Sequence, residues 1–179
     1  IFMQKLPKAF IISLSFLTSF TLLIVKDLIQ RNNQQKLIVY NVPKQSAIDI
    51  LQGSTYQFTG DSILLQDGFL RNFHLKPSRT LYHVTPSVNT AVIDNNIIQI
   101  NHTSILLLNN NFQLQSTENK IPVDIIIISG NPKIYISQLQ QAFTFKQLIF
   151  DSSNPLWKIQ LWKKDCESLH LRFHSTHHY

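Results

Sequence analysis

Charge is what this chain has least of. Only 15% of its 179 residues are Asp, Glu, Lys or Arg, against 44% hydrophobic. Either the interior is large for the length, or part of the chain avoids water altogether. Cysteine is scarce too: Cys166 stands alone, which excludes an intrachain disulfide and a thiolate metal site. There is no G-x-G-x-x-G, no phosphate loop and no G-x-S-x-G, so the signatures of dinucleotide, nucleotide and α/β-hydrolase chemistry are missing. The net charge is +6, yet no block of like charge occurs; such a scattered excess permits an anionic partner without specifying one. No internal repeat or low-complexity tract is present.

The avoidance of water has a location. Ala9 to Val25 (AFIISLSFLTSFTLLIV) carries no charge, and Lys5, Lys8, Lys26 and Asp27 fence it. With snorkelling lysines at both ends, this run is long enough for the ~30 Å hydrocarbon core of a bilayer. A buried core helix would show a polar face, which is absent, and Ile24-Val25-Lys26-Asp27 is a poor signal-peptide cleavage site. The sequence therefore predicts a transmembrane helix with its flanks over residues 1–30. Lys5 and Lys8 on one side, and Lys26, Arg31 and Lys36 on the other, leave its orientation open. A polar linker over 31–36 is expected next, and then one soluble domain over 37–179. The chain starts at Ile1 and ends just after an apparent strand, so it is expected to be a fragment whose domain is truncated at the C-terminus.

The soluble part reads as mixed α/β (α+β). Strands are expected at Leu37–Tyr40, Ser46–Leu51 and Tyr56–Phe58, with Asn41 to Lys44 as a turn and Gly53 ending the second strand. Asp61 is expected to cap a helix carrying Leu64, Leu65, Phe69 and Leu70, which Lys76-Pro77-Ser78 closes. Ala91 to Ile100 reads as a hairpin with an Asn95-Asn96 tip suited to a type I′ turn. Ser104 to Leu108 is a further strand, followed by an Asn109-Asn110-Asn111 turn. Val123 to Ile128 is apolar and β-branched except for Asp124, the mark of a strand buried on both faces. A Ser-Gly-Asn-Pro turn follows it. A helix from Tyr135 to Phe143, a strand at Gln147–Phe150, a helix from Pro155 to Ser168 and a strand at Leu171–Phe173 complete an alternating pattern. Ile159, Trp162, Cys166 and Leu169 put one face of the last helix in the core.

The loop after Ile128 is where layered α/β proteins present ligands and catalytic groups, yet it offers no carboxylate, histidine or cysteine. His74, His83 and His102 are isolated. His174, His177 and His178 cluster, but at a terminus that holds nothing in place. Asp49, Asp61, Asp67, Asp124 and Asp151 show no pairing at a recognisable spacing. One constellation remains. Arg71, His74, Lys76 and Arg79 are interleaved with Phe69, Phe73 and Tyr82, a combination that suits single-stranded nucleic acid by charge and stacking. A solvated helix end with core phenylalanines has the same sequence pattern.

Several segments together resemble a known family. They are the apolar helix, Leu37-Ile38-Val39-Tyr40-Asn41-Val42, Ser46-Ala47-Ile48-Asp49, Gly60-Asp61-Ser62, Asp67 to Arg79 (DGFLRNFHLKPSR), Phe150 to Pro155 (FDSSNP), Trp157-Lys158 and Trp162 to Cys166 (WKKDC). This pattern is similar to the C-terminal part of ComEC-type competence proteins, inner-membrane channels for DNA uptake. It resembles their short branch, in which this region is degenerate. The resemblance implies an incomplete metallo-β-lactamase-like β-sandwich with flanking helices. In fuller members a D-V-G-Q-G-D motif ends the first strand; here it reads Asn41-Val42-Pro43-Lys44-Gln45-Ser46, so Asn41, Pro43 and Ser46 replace motif residues. Their H-x-H-x-D-H motif has no counterpart. Their His-His pair after the central strand is Gly130-Asn131. A two-metal hydrolase needs converging histidines and aspartates, so the resemblance implies no metal, no other cofactor and no catalytic residue.

The expectation is thus a non-catalytic structural or DNA-guiding module of a single-stranded DNA channel. Its partners would be the rest of its own channel polypeptide, the lipid bilayer and single-stranded DNA. Two rivals stand beside it. One is a metal-dependent nuclease with atypical ligands such as Asp49, Asp151 and the terminal histidines. The other is a signal-anchored envelope protein starting at Met3, unrelated to DNA.

Overall fold

The computed structural model describes residues 6–66, 68–87, 93–94, 96–112 and 119–177. Lys5, Asp67, Ala91, Val92, Asn95 and His178, on which expectations fell, lie outside them. The uncharged run forms one helix, α1 (Leu6–Asn32). Over Lys8–Asn32 it is long and apolar enough to cross a membrane, and none of its apolar window is buried. Phe16 and Leu22, for example, are 73% and 69% exposed. The helix runs past Lys26 and Arg31, and the Arg31–Asp27 ion pair at 2.6 Å spans one of its last turns. Only Asn33 and Gln34 separate it from the first strand. The linker expected over 31–36 is therefore mostly helix and strand.

β1 (Gln35–Val39), β2 (Ala47–Gln52) and β3 (Thr55–Gly60) form an antiparallel meander. Gly53 turns the chain at φ +58. A 3-10 turn at Ser62–Leu64, a π-helical turn at Arg71–Leu75 and α2 (Lys76–Leu81) come next. This corrects the expectation of a helix closed at Lys76-Pro77-Ser78. Pro77 falls in the first turn of α2, where a missing amide costs nothing. The Lys76 amide reaches back five residues to the Arg71 carbonyl, and that wider turn makes room for the proline ring. β4 (Thr85–Pro86) adds a short parallel edge to β3.

The larger sheet takes β5 (Ile93–Asp94), β6 (Ile97–Ile100) and β7 (Thr103–Leu108) as antiparallel neighbours. Asn96 has φ +66, as the expected hairpin tip requires. β8 (Ile121–Pro122) precedes β9 (Ile125–Ile128), α3 (Ile136–Ala142), β10 (Phe143–Thr144), β11 (Gln147–Phe150), α4 (Leu156–Ser168) and β12 (Phe173–Ser175). β9 starts two residues later than expected, and β12 is displaced two residues from Leu171–Phe173. The sheet order is β12-β11-β9-β7-β6-β5, parallel from β7 outward to β12; β8 pairs with β10 separately.

The fold is mixed α+β, and alternation along β9 shows how its layers stack. Ile126 and Ile128 join Leu106, Leu108, Leu148 and Phe150 against Ile136, Leu139, Ile159 and Trp162 of α3 and α4. Ile127 faces the other way, into Ile48, Ile50, Ile98, Ile105 and Leu107. The larger sheet therefore packs one face on helices and the other on the smaller sheet, which is why β9 is isoleucine throughout. The outer face of the smaller sheet packs Tyr40 and Ala47 on Leu64 and Leu75 of the helical turns. Four layers result: helices, sheet, sheet, helix.

Candidate functional site

Parallel pairing of β7, β9 and β11 brings their C-terminal ends to one edge of the sandwich, with Leu108, Ile128 and Phe150 in register. The loops leaving that edge meet the β1–β2 turn, and the centre of the meeting is Asp151, fully buried. Ser129 Oγ donates to its Oδ2 at 2.6 Å. The Ser153 amide at 3.1 Å, the Ser153 hydroxyl and Asn154 Nδ2 at 2.9 Å donate to Oδ1. Burial pushes the Asp151 carboxyl up, and the hydrogen bonds from Ser129, Ser153 and Ser46 hold it back.

The same side chains fasten the neighbouring loops. The Gly130 amide donates to Ser153 Oγ at 2.6 Å, and the Asn131 amide to Asn154 Oδ1 at 3.0 Å. Ser152 Oγ donates to the Val42 carbonyl at 2.7 Å, and the Lys44 amide to the Ser152 carbonyl at 3.1 Å. Lys158 on α4 donates to Asn131 Oδ1 at 2.8 Å and to the Pro132 carbonyl at 2.6 Å. Burial, with Lys133 nearby, lowers the Lys158 ammonium pKa. Ser46, Gly130 and Asn131 thus converge, while Asn41 and Pro43 lie exposed on the turn beside them.

A cleft of about 250 Å³ opens between the sheets at this edge, lined by Ser46, Gly60, Asp61, Asn109, Asn110, Ser129 and Gly130 among others. Asp61 does not cap a helix with its side chain; its Oδ2 accepts the Ser46 amide at 2.8 Å, and its own amide donates to the Ser46 carbonyl at 2.9 Å. Gly60, at φ +149, lies so close that a Cβ would stand 2.1 Å from the Ser46 carbonyl oxygen. The lining offers hydroxyls, carboxamides and the Asp61 carboxylate, no histidine lines it, and both Asp151 oxygens already accept hydrogen bonds. This set does not fit a two-metal centre, which needs several open nitrogen and carboxylate ligands. Among the described residues no three His, Cys, Asp or Glu side chains gather as metal ligands.

Two further carboxylates are also engaged. Asp124 accepts the Ser104 amide at 2.8 Å and pairs with Lys146 at 2.7 Å. Lys146 and the Ser104 hydrogen bonds hold its carboxyl down at about 2. Asp49, fully buried on the outer face of β2, takes a forked pair from Arg79 at 2.8 and 2.9 Å and the Tyr40 hydroxyl at 2.8 Å. Burial first, then the Asp49 charge, pushes the Tyr40 hydroxyl pKa well up. Asp49 and Asp151 therefore serve separate networks.

Arg79 belongs to that packing. Its side chain is 11% exposed and lies 4.0 Å over the Tyr56 ring, so its charge is spent on Asp49 and pins α2 to the sheet. Arg71 and Lys76 line a groove of about 570 Å³ with Asn72, Arg79, Thr80 and His83. The phenylalanines beside it are not core residues. Phe69 and Phe73 are 73% and 62% exposed, and their rings stack with centroids 5.4 Å apart and 14° between planes. His74 meets the Phe73 ring edge-on at 5.0 Å.

Sequence reasoning quoted Ser129 in the turn after Ile128, and Ser152, Ser153, Asn154 and Lys158 among the segments that carry the resemblance, but gave none of them a role at a site. A signal existed: Ser129 to Pro132 and Asp151 to Pro155 are Asn-Pro turns leaving two parallel strands at matched positions, so they had to face each other. In comparisons with known proteins, the family model for the ComEC C-terminal domain matches residues 37–178. No curated protein and no solved structure matches the chain.

Proposed function

The chain belongs to the ComEC C-terminal domain family, a family of competence proteins for DNA uptake, and on that footing we propose that it is a non-catalytic module of an inner-membrane channel for single-stranded DNA. In this reading α1 spans the bilayer and the four-layer domain, of metallo-β-lactamase-like type, stands at the channel mouth. The observation that carries the non-catalytic part is the Asp151 hub. At Gly130 and Asn131, where the resembling hydrolases place their paired ligands, the backbone amides are joined to Ser153 and Asn154, whose side chains are in turn spent on Asp151. Such a set stiffens a loop cluster and supplies no paired histidines to hold a water-activating metal.

The DNA-guiding part rests on the outer helical layer. A stacked, exposed Phe69–Phe73 pair beside Arg71 and Lys76 supplies π-faces for bases and cations for phosphates, as strand-tracking surfaces do. Arg79 is left out, because Asp49 neutralises it. The test is fluorescence anisotropy of a labelled single-stranded oligonucleotide with the full chain in detergent micelles. Phe69→Ala with Phe73→Ala weakens binding by roughly tenfold or more, taking ~1–3 kcal/mol per stacked base. Lys76→Gln reduces the salt dependence. Binding that neither change affects would remove this surface from the proposal.

A further inference from the structure

The junction between α1 and the domain holds a second cleft, of about 690 Å³, walled by the last turns of α1, the start of β1 and the end of α2. Its walls are clamped together. Gln34 Nε2 donates to the Gly53 carbonyl at 2.8 Å and to the Tyr82 carbonyl at 2.9 Å. The Gly53 amide returns to the Gln34 carbonyl at 2.8 Å, and the Asn101 amide donates to Gln35 Oε1 at 3.1 Å. A side chain at residue 53 would meet the Asn32 carbonyl oxygen at 2.9 Å, so only glycine lets the two parts approach this closely. The backbone frame of the cleft is therefore held before any ligand arrives, which lowers the ordering cost of binding.

Its height and chemistry agree. If α1 spans the bilayer as proposed above, Val25 ends the uncharged run at the hydrocarbon boundary. At ~1.5 Å per residue, Asp27 to Asn32 then stand about 3–10 Å beyond it, within the headgroup layer. Lys36 and Arg31 bring two cations to the walls, and Asp27 offsets only one of them. The Lys36 ammonium sits 3.9 Å over the Tyr82 ring, held on the cleft side. Gln30 and Asn33 add carboxamides that suit a polyol. Leu81, which lines the cleft, is 70% exposed, an apolar contact for the glycerol and upper acyl carbons.

We propose that this cleft binds the phosphodiester headgroup of an anionic phospholipid, with the phosphate on Lys36 and Arg31 and the headgroup hydroxyls on Gln30 and Asn33. The inference rests on the membrane placement of α1, and the two fail separately. The full chain is reconstituted in vesicles of phosphatidylcholine alone or mixed equally with phosphatidylglycerol. Vesicle flotation is scored first, then the lipid retained is read by native mass spectrometry. The expected result is a floating chain that retains phosphatidylglycerol in preference to phosphatidylcholine. Lys36→Gln lowers that preference roughly fivefold, the worth of one cation near an anionic surface. Lys36→Arg, which keeps the charge, preserves it, and Lys164→Gln on the exposed face of α4 leaves it unchanged. Equal retention of the two lipids, or a Lys36→Gln chain with full preference, overturns the headgroup site while leaving the span intact. Displacement of the lipid by inorganic phosphate alone assigns the cleft to a soluble anion and also overturns it. A chain that does not float overturns the membrane placement itself.

Discussion

Removing the Asp151 side chain tests the hub at its centre. Asp151→Ala deprives Ser129 Oγ, the Ser153 amide and the Ser153 hydroxyl of their acceptor; the hydroxyl, on a half-buried residue, can turn to solvent, which leaves the first two orphaned, while Asn154 Nδ2 keeps the Ile128 carbonyl at 2.7 Å. Two orphaned donors at ~1–3 kcal/mol each, less the relief of a buried carboxylate, give a loss of about 3 kcal/mol. For a chain of this size that is a fall in Tm of about 6–12 °C. Asp151→Asn behaves differently. Its carbonyl takes the Oδ1 position and accepts from Ser153 and Asn154, and its amide donates to the Ser129 hydroxyl, which can turn to accept. The cost is within about 1 kcal/mol. The two proteins also diverge with pH. The Asp151 carboxyl is raised above its unfolded value, so the unfolded chain releases this proton first. The native protein therefore loses stability relative to Asp151→Asn as pH rises from the ordinary carboxylate range through the folded pKa, and the gap is constant above it. Thermal denaturation of the full chain in detergent micelles, followed by circular dichroism across that range, measures both effects. Equal Tm values for the Ala and Asn proteins, or a pH dependence of opposite sign, would refute the hub.

Asp124 behaves in the opposite sense. Its carboxyl sits at about 2 because Lys146 and Ser104 favour the charged form, so its stabilising effect is present above the ordinary carboxylate range and lost as pH falls toward 2. Carboxyl-carbon NMR should show that titration, and Ser104→Ala should move it upward. Gly60→Ala places a Cβ against the Ser46 carbonyl and adopts a φ that only glycine tolerates; we expect a loss of more than about 3 kcal/mol, seen as failure to melt cooperatively. Arg79→Ala leaves Asp49 buried with Tyr40 alone and should cost about 3–5 kcal/mol, whereas the paired change Arg79→Met with Asp49→Leu should be nearly neutral. Urea denaturation distinguishes these; an Arg79→Ala protein as stable as the parent would mean that the ion pair does not hold α2 in place.

Features set by local chemistry were legible before the structure. Gln147–Phe150 and the 156–168 helix fall where alternation and helical spacing put them, and Asn96 takes the positive φ its turn requires. Where the reading failed, a distant partner decided. Asp61 looks like a helix cap, but the Ser46 amide is within reach once β2 and β3 pair. Pro77 looks like a terminator, but it opens α2 because a widened turn precedes it. Arg79 joins the basic cluster in sequence, and 30 residues away Asp49 removes it. β4 and β8 end in prolines and carry no strand pattern of their own; neighbouring chain imposes them. Phe69 and Phe73 read equally well as core or as surface, since burial depends on whether another layer covers them, and here none does among the described residues.

The account turns on whether the edge of the sandwich around Asp151 can support metal-dependent hydrolysis. The direct measurement incubates the full chain in micelles with a labelled single-stranded oligonucleotide and excess zinc or manganese. Strand integrity is read on a gel, and bound metal by elemental analysis after desalting. The account predicts an intact oligonucleotide and no stoichiometric metal. Metal-dependent cleavage that Asp151→Asn abolishes would contradict it.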